Sequence, residues 1–362
     1  MAKPDWFING RFLTQKTSGV QRYAREIVRS LDALLEEGHP LARGRRLCLV
    51  TPPHADILPG LGMIEQRVVG SLRGHAWEQV SLPRYARGGL LNLCNTAPLL
   101  GRRNIVCIHD TNVADYPESY SRQFRLLYRA LVPPVARGAA MVATVSAYSA
   151  GRIARFGLDR GAIAVLPNGH EHVARWRAVA SPAIAAAAGP NTIVVLGSRA
   201  PHKNLGMLLG LAGALAGQGF RIAIAGAADA HVFQGAAAGE AGNVVSVGRI
   251  SDDELAALLQ GAHCLAFPSF VEGFGLPPLE AFAIGCPVVS SDRASLPEVC
   301  GEAALYAAPD RPDQWLSAFC ALRDDPRLRA ALIERGHARA RAFSWRESAL
   351  GYLGAMAHLD EA

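Results

Sequence analysis

The sequence predicts an α/β chain of two doubly wound lobes, and three observations predict it. Short apolar runs that read as strands alternate with segments of helical period. The alternation stops near residue 170 and restarts near residue 190. At 362 residues, the chain is also about twice the length of a typical domain. Continuous apolar strands separated by helices indicate a parallel sheet covered on both faces, because each crossover between parallel strands lays a helix on the sheet.

In the first lobe, Trp6-Phe7-Ile8 reads as the opening strand. Gly19 starts a helix with Val20, Tyr23, Ile27, Leu31 and Leu34 at three-to-four spacing, one apolar face of a helix. Leu47–Thr51, Leu90–Leu93, Ile105–His109, Met141–Val145 and Ile163–Leu166 read as further strands. Ser146 caps the helix that follows the Met141 run, and Pro167-Asn168-Gly169 makes a turn after the last strand. Residues 170–190, with Ser181-Pro182 and an alanine run ending in Gly189-Pro190, read as a linker. The second lobe repeats the alternation, with strands at Thr192–Leu196, Ile222–Ala225, Val244–Val247, Cys264–Phe267 and Val288–Ser290. Ser251 and Glu254 form a capping box for a helix to Gln260, and the chain is helical from Pro312, ending in a Trp345–Leu359 helix. Ligands of such sheets bind beyond the carboxyl ends of the strands, so two such edges facing each other across a central cleft are the expected site.

Composition narrows the classes. Half the residues are hydrophobic and 19% are charged, which excludes a mainly disordered chain. No apolar run approaches the ~20 residues of a spanning helix, and Met1–Asp5 lacks a secretory core, so a soluble, cytoplasmic protein is expected. The seven cysteines are scattered with no CxxC pair, which suits buried reduced thiols rather than disulfides or zinc. The net charge of +6 is uneven: residues 1–180 hold 24 Lys and Arg against 13 Asp and Glu, and the remainder holds 13 against 18. A basic half suggests an anionic partner for that half, while a solvated arginine surface explains the same numbers.

The most informative stretch is Pro268-Ser269-Phe270-Val271-Glu272-Gly273-Phe274-Gly275-Leu276-Pro277-Pro278-Leu279-Glu280. Gly273 and Gly275 permit a tight loop, Pro277 and Pro278 suit a first helical turn, and the N-terminus of that helix is a natural anion site. Glu272 falls in the loop before it and Glu280 in its first turn, two carboxylates suited to accept hydrogen bonds from sugar or ribose hydroxyls. Taken singly, Glu272 is also explained as a solvated loop acid and Glu280 as a dipole partner. Lys203 is one of three lysines in the chain and follows a strand. His109 ends a buried strand. His170-Glu171-His172 carries two histidines at alternate positions but no convincing third metal ligand. No G-x-G-x-x-G occurs, so a dinucleotide redox cofactor has no support, and no D-x-D occurs.

This segment resembles the E-x7-E signature of the family-4 retaining glycosyltransferases, group 1 glycosyltransferases of GT-B architecture with two Rossmann-like lobes. The resemblance extends over nearly the whole chain: Ser18-Gly19-Val20-Gln21-Arg22-Tyr23, Ile108-His109-Asp110, Val145-Ser146-Ala147-Tyr148-Ser149, Pro167-Asn168-Gly169, Gly197-Ser198-Arg199-Ala200-Pro201-His202-Lys203-Asn204, and Ser291-Asp292 with Pro297-Glu298. It implies an acceptor-binding lobe over residues 1–175, a nucleotide-sugar-binding lobe over 190–345, and a C-terminal helix over 346–362 that packs back on the first lobe.

The resemblance also implies roles. Glu272 binds donor-sugar hydroxyls, the amides of Gly273, Phe274, Gly275 and Leu276 hold the sugar and phosphates, and Glu280 binds the ribose. Lys203 neutralises the diphosphate with help from Arg199. Many relatives carry an arginine where this chain has Ser198 or His202, so Arg199 is the expected second cation beside Ser198. Gly19 lets the first-lobe loop approach the diphosphate, and His109 hydrogen-bonds the donor sugar. The implied reaction moves a hexose or deoxyhexose, with GDP-mannose as the first donor to test, onto a lipid-linked or oligosaccharide acceptor of a bacterial surface polysaccharide, without a cofactor or metal. The arginines at 43, 45, 46, 84, 87, 102, 103, 122, 125 and 129 all fall in the first lobe, consistent with peripheral contact with an anionic inner membrane. A nucleotide-sugar epimerase of similar architecture and a non-enzymatic membrane or nucleic-acid binder are the alternatives. No nucleic-acid motif or aromatic interleaving supports the last, so no nucleic-acid partner is expected.

Overall fold

The computed structural model describes residues 6–101, 103–197, 200–226 and 242–361, and the chain divides into two compact units. The first holds the residues up to Asp115, Ser121–Gly169 and the segment from Ser344; the second holds Tyr116–Tyr120 and His170–Phe343.

The first unit is built on strands β1 (Trp6–Asn9), β2 (Leu47–Thr51), β3 (Glu65–Val68), β4 (Gly89–Asn92), β5 (Asn104–Cys107), β6 (Met141–Thr144) and β7 (Ile163–Val165). They pair in the order β3-β2-β1-β4-β5-β6-β7, every pair parallel. The chain works outward from β1 to β3, then returns to β4 on the other side, so the switch point lies between β1 and β4. Every residue of β1, β2, β4 and β5 is buried, as expected of a sheet covered on both faces. Gly89 opens β4 because a Cβ there would stand 2.5 Å from the Trp6 ring, which lies across it. The Trp345–Glu361 helix packs on the Gly19–Glu36 helix. There the Tyr23 and Tyr352 hydroxyls lie 2.8 Å apart, and Tyr23 donates to the Leu166 carbonyl at 2.9 Å.

The second unit has strands β8 (Thr192–Gly197), β9 (Arg221–Gly226), β10 (Val244–Gly248), β11 (Cys264–Phe267), β12 (Val288–Ser291) and β13 (Ala304–Ala307). Their order is β10-β9-β8-β11-β12-β13, again all parallel, so the switch point lies between β8 and β11. Its core gathers Ile193, Val195, Leu208, Phe220, Trp315 and Phe319.

Three features depart from the sequence reading. Strands β3 and β13, both at sheet edges, depart from that reading: Glu65–Val68 is exposed or half-buried with no apolar run, whereas Ala304–Ala307 is a four-residue apolar run with buried ends, too short to tell a strand from a helix segment. Residues 170–190 are not a linker: Glu171–Arg175 and Pro182–Ala187 are helical, and Ile184 and Ala187 are buried in the second unit. Alanine supplied helix propensity where it had been read as flexibility. Finally, Tyr116–Tyr120 belongs to the second unit although its neighbours in sequence belong to the first. All seven cysteines are free, five of them buried. Among the described residues no helix is long and apolar enough to cross a membrane.

Candidate functional site

The switch point of the second unit brings the loops after β8 and β11 together. Beyond β8, a single turn over Pro201–Lys203 ends at Asn204, which takes a left-handed conformation at φ 56°. Its side-chain amide donates to the carbonyls of Pro309 at 2.7 Å and Pro268 at 3.3 Å, and the Phe270 N–H donates to the His202 carbonyl at 2.8 Å. These bonds join the two loops. Lys203 and Glu272 meet there, Nζ to Oε1 at 2.7 Å, with the ammonium 5.7 Å above the Phe267 ring. Their side chains are 29% and 11% exposed, so the pair is partly screened and a polar ligand can reach it. His202 donates or accepts at the Ser119 hydroxyl, 2.8 Å away, and stacks on Tyr120. Burial and the neighbouring Lys203 ammonium lower its pKa against the opposing pull of Glu272 and Glu118, so the lysine is the cation of this pair of neighbours.

The loop from Glu272 to Gly275 is held by a residue the sequence reading did not single out. The Ser295 hydroxyl lies 2.9 Å from the Glu272 carbonyl and 2.8 Å from the Phe274 carbonyl. Gly275 stands at φ 104°, where a Cβ would meet Leu296 Cδ2 at 2.7 Å, so both the conformation and the close approach require glycine. The Leu276–Ile284 helix then begins with Pro277 and Pro278, which carry no N–H, in its first turn and has no capping side chain, so Leu276 and Leu279 supply the N–H groups at its start. Phe274 and Leu276 are buried, Phe274 edge-on to Phe343 at 5.4 Å, so only their backbone amides are suited to a ligand.

Glu280 is a correction to the first-turn assignment. It lies in the second turn of that helix, which has no acid in its first turn, so it is not a dipole partner at the helix start. Its carboxylate is buried and accepts a hydrogen bond from His172 Nε2 at 2.9 Å; His172 in turn packs edge-on against Trp176. His170 instead donates from Nδ1 to the Phe343 carbonyl at 2.8 Å. The two histidines therefore do not converge, and among the described residues no three His, Cys, Asp or Glu side chains are grouped to hold a metal.

Gly19 and His109 belong to the first unit. Gly19 is the first residue of its helix, with no atom within 4 Å of an added Cβ, so packing within the chain does not demand glycine there. His109 follows β5 and is buried, its Nε2 donating to the Leu93 carbonyl at 2.8 Å and its ring 4.8 Å edge-on from Tyr23. Burial, opposed only in part by the Leu93 carbonyl, lowers its pKa to about 4, so it is neutral at physiological pH. The first unit's own switch point is filled. Asn9 donates to Glu78 at 2.8 Å and to Asn92 at 3.0 Å, Arg11 pairs with Glu78 at 3.1 Å, and Thr96 donates to Glu78 at 2.8 Å, all buried. Ser198 and Arg199 lie outside the described residues. The structure thus gathers Lys203, Glu272, Gly273, Phe274, Gly275, Leu276 and Glu280 in one unit and places Gly19 and His109 in the other. It adds Asn204, Ser295 and His172 as the groups that hold the site.

Two all-parallel sheets of this topology, one in each unit, are the architecture of a two-lobed GT-B fold. Residues 179–339 match the model of the glycosyl transferases group 1 family, which supports that class for the chain. Over 99 residues the chain is 42% identical to O-antigen chain mannosyltransferase B of Escherichia coli, a match covering 27% of this chain and 26% of that protein. Over 104 residues it is 42% identical to an MMP alpha-(1->4)-mannosyltransferase of Mycolicibacterium hassiacum, covering 28% and 25%. These matches span about a quarter of the length of the relatives. Among solved structures, a sucrose-phosphate synthase from Thermosynechococcus elongatus superposes with a TM-score of 0.72 at 18% identity, covering 99% of this chain and 100% of that one. HepE of Anabaena in complex with UDP and glucose gives 0.70 at 18%, covering 97% and 98%. WaaG, a glycosyltransferase involved in lipopolysaccharide biosynthesis, gives 0.66 at 16%, covering 97% and 99%. At these identities the likeness establishes the fold.

Proposed function

We propose that this chain is a retaining glycosyltransferase that moves a hexose or deoxyhexose, mannose from GDP-mannose as the first donor to test, to a lipid-linked or oligosaccharide acceptor in bacterial surface polysaccharide synthesis. The observation that carries the reading is the meeting of Lys203 and Glu272 at a switch point, directly before the Leu276–Ile284 helix. The names of the matched mannosyltransferases support the sugar. In this reading the donor diphosphate replaces Glu272 as the partner of Lys203, and the released carboxylate accepts hydrogen bonds from the sugar hydroxyls. The amides of Gly273 to Leu276 bind the sugar and phosphates, and Glu280, oriented by His172, accepts from the ribose. Arg199 and Ser198 contribute beside Lys203, Gly19 approaches the diphosphate, and neutral His109 hydrogen-bonds a sugar hydroxyl.

With no carboxylate in the role of a covalent nucleophile, transfer proceeds on one face. The C1–O bond to the diphosphate breaks, the acceptor oxygen bonds to C1 from the same side, and the acceptor proton passes to the leaving phosphate. Lys203 and the helix dipole stabilise the charge that develops on that phosphate. No resident metal or cofactor is invoked. The protein works in the cytoplasm, in peripheral contact with the anionic face of the inner membrane.

The test is a thermal-shift panel with GDP, UDP, ADP, CMP and dTDP, followed by transfer assays. A nucleotide at a hundred times its dissociation constant adds about 2.7 kcal/mol. Silence across the whole panel would overturn the reading.

A further inference from the structure

The sheet of the first unit ends on an open edge. Strand β3 is last in the strand order and pairs on one side only, with β2. The Val69 N–H donates to the Thr51 carbonyl at 2.9 Å, so residues 65, 67 and 69 turn their backbone groups towards β2. By the alternation of an extended chain, Gln66 and Val68 turn theirs outward. The edge is held in place from behind. The buried Asp32 carboxylate of the Gly19–Glu36 helix accepts from the N–H groups of Gly62, Met63 and Ile64 at 2.8, 2.9 and 2.6 Å, just before the strand. The Gln66 side chain accepts from the Leu58 N–H at 3.0 Å and donates to the Asp56 carbonyl at 2.9 Å, which leaves its backbone groups at the edge.

Proteins protect such an edge with a bulge, a proline or lysines. Strand β3 contains no proline or lysine, and its register with β2 runs without a bulge. Its last residue, Val68, is 63% exposed, and Met63 and Ile57 nearby are exposed as well. Its charges are Glu65 and Arg67, both exposed and paired with each other. Two residues apart on a strand, they share one face of the sheet.

This arrangement is complementary to itself. Only an antiparallel pairing of two identical edges closes about a two-fold axis. Outward backbone groups must then meet outward groups, and two such pairings overlap three residues of the strand. One is centred on Arg67 and sets the two guanidinium groups against each other. The other is centred on Gln66 and sets Glu65 of each copy opposite Arg67 of the other, on the same face.

We propose that β3 is an interface between two copies of this chain, joined antiparallel about a two-fold axis at Gln66 into one continuous sheet. Gln66 exchanges both backbone hydrogen bonds with Gln66 of the second copy. The Val68 N–H donates to the Ile64 carbonyl of the second copy; Ile64 already gives its own N–H to Asp32. The exposed Val68 side chain is brought opposite Ile64. Each copy covers the other's open edge, so assembly stops at the dimer. The proposal is independent of the transferase reading.

Sedimentation equilibrium of the full chain over a concentration series tests it, and a monomer–dimer equilibrium is expected. Glu65→Arg puts two cations on each strand and Arg67→Glu two anions. Each variant should dimerise about tenfold to a hundredfold more weakly than the parent, because two attractive pairs become repulsive. An equimolar mixture of the two variants should form a mixed dimer about as tight as the parent's, since cations then face anions at both positions. Val68→Pro removes an outward N–H that β2 does not use, and should abolish the dimer. Circular dichroism identifies variants that have kept their fold; the two charge variants change exposed side chains only. A parent that sediments as a monomer at every concentration would overturn the proposal. So would a dimer that the folded charge variants keep at parental strength, or a mixture that associates no better than either variant alone.

Discussion

The Lys203 ammonium and the Glu272 carboxylate stand 2.7 Å apart at the carboxyl ends of two neighbouring parallel strands, 69 residues apart in sequence. In the unliganded chain each neutralises the other. Glu272 is buried and Lys203 part-exposed, so the pair lies between a surface and a buried ion pair, and its value lies in what it can exchange for. Lys203→Ala and Glu272→Ala should both fold, each with a stability loss of about 1–3 kcal/mol from the partner left unpaired. Lys203→Ala should lose the thermal shift caused by nucleoside diphosphates. Either change should lower transfer by about 10²–10³-fold, as removal of a charge-stabilising group does. Parent-like turnover in a purified variant would remove these residues from the site.

His172 and Glu280 form a second pair, this one buried. His172→Ala removes an imidazole donor from a carboxylate inside the protein, which should cost about 1–3 kcal/mol. In a double-mutant cycle with Glu280→Gln, urea unfolding should give a coupling of about 0.5–3 kcal/mol. A coupling of zero would mean that the hydrogen bond does not hold Glu280.

The loop before the Leu276–Ile284 helix is fixed by conformation rather than by charge. Gly275→Ala places a Cβ in a left-handed backbone at φ 104° and within 2.7 Å of Leu296 Cδ2. We expect a loss of about 1–3 kcal/mol in stability and weaker nucleotide binding. Ser295→Ala, which removes the hydroxyl between the Glu272 and Phe274 carbonyls, should weaken nucleotide binding with a smaller loss of stability. Chemical denaturation and calorimetry on the same samples separate the two effects, and unchanged binding in both variants would refute a role for loop geometry.

His109 gives the first unit a pH dependence of definite sign. Its pKa is about 4 in the folded chain against an ordinary 6.5, so the unfolded chain takes up the proton first as pH falls. Above pH about 6.5 the group has no effect on stability. Between about 6.5 and 4 it removes stability, by at most about 1.36 kcal/mol per pH unit. Urea unfolding between pH 7.5 and 4.5 should therefore show a steeper decline for the parent than for His109→Gln, and parallel slopes would contradict the assignment.

Much of this was legible from residue order. Each half announced its sheet because strands buried on both faces must be continuous apolar runs, as Leu47–Thr51 and Cys264–Phe267 are. The glycine and proline positions around Glu272 are local demands of a tight loop and a helix start, and they read without a fold. The edge strand Glu65–Val68 escaped because an edge does not need an apolar run, and Ala304–Ala307 because so short an apolar run reads equally as helix. The Pro182–Ala187 helix escaped because a tract of alanines reads equally as linker or helix until Ile184 finds a core.

Local chemistry therefore determined the identity of the strands, the helix starts and the residues able to meet a phosphate or a hydroxyl. Only the tertiary structure decided their partners: that Lys203 meets Glu272, that Glu280 sits a turn deeper and is held by His172, that Ser295 clamps the loop, and that Tyr352 returns to Tyr23. Strand order brings distant segments of chain side by side, and hydrogen bonds across such separations leave no periodic trace in the sequence.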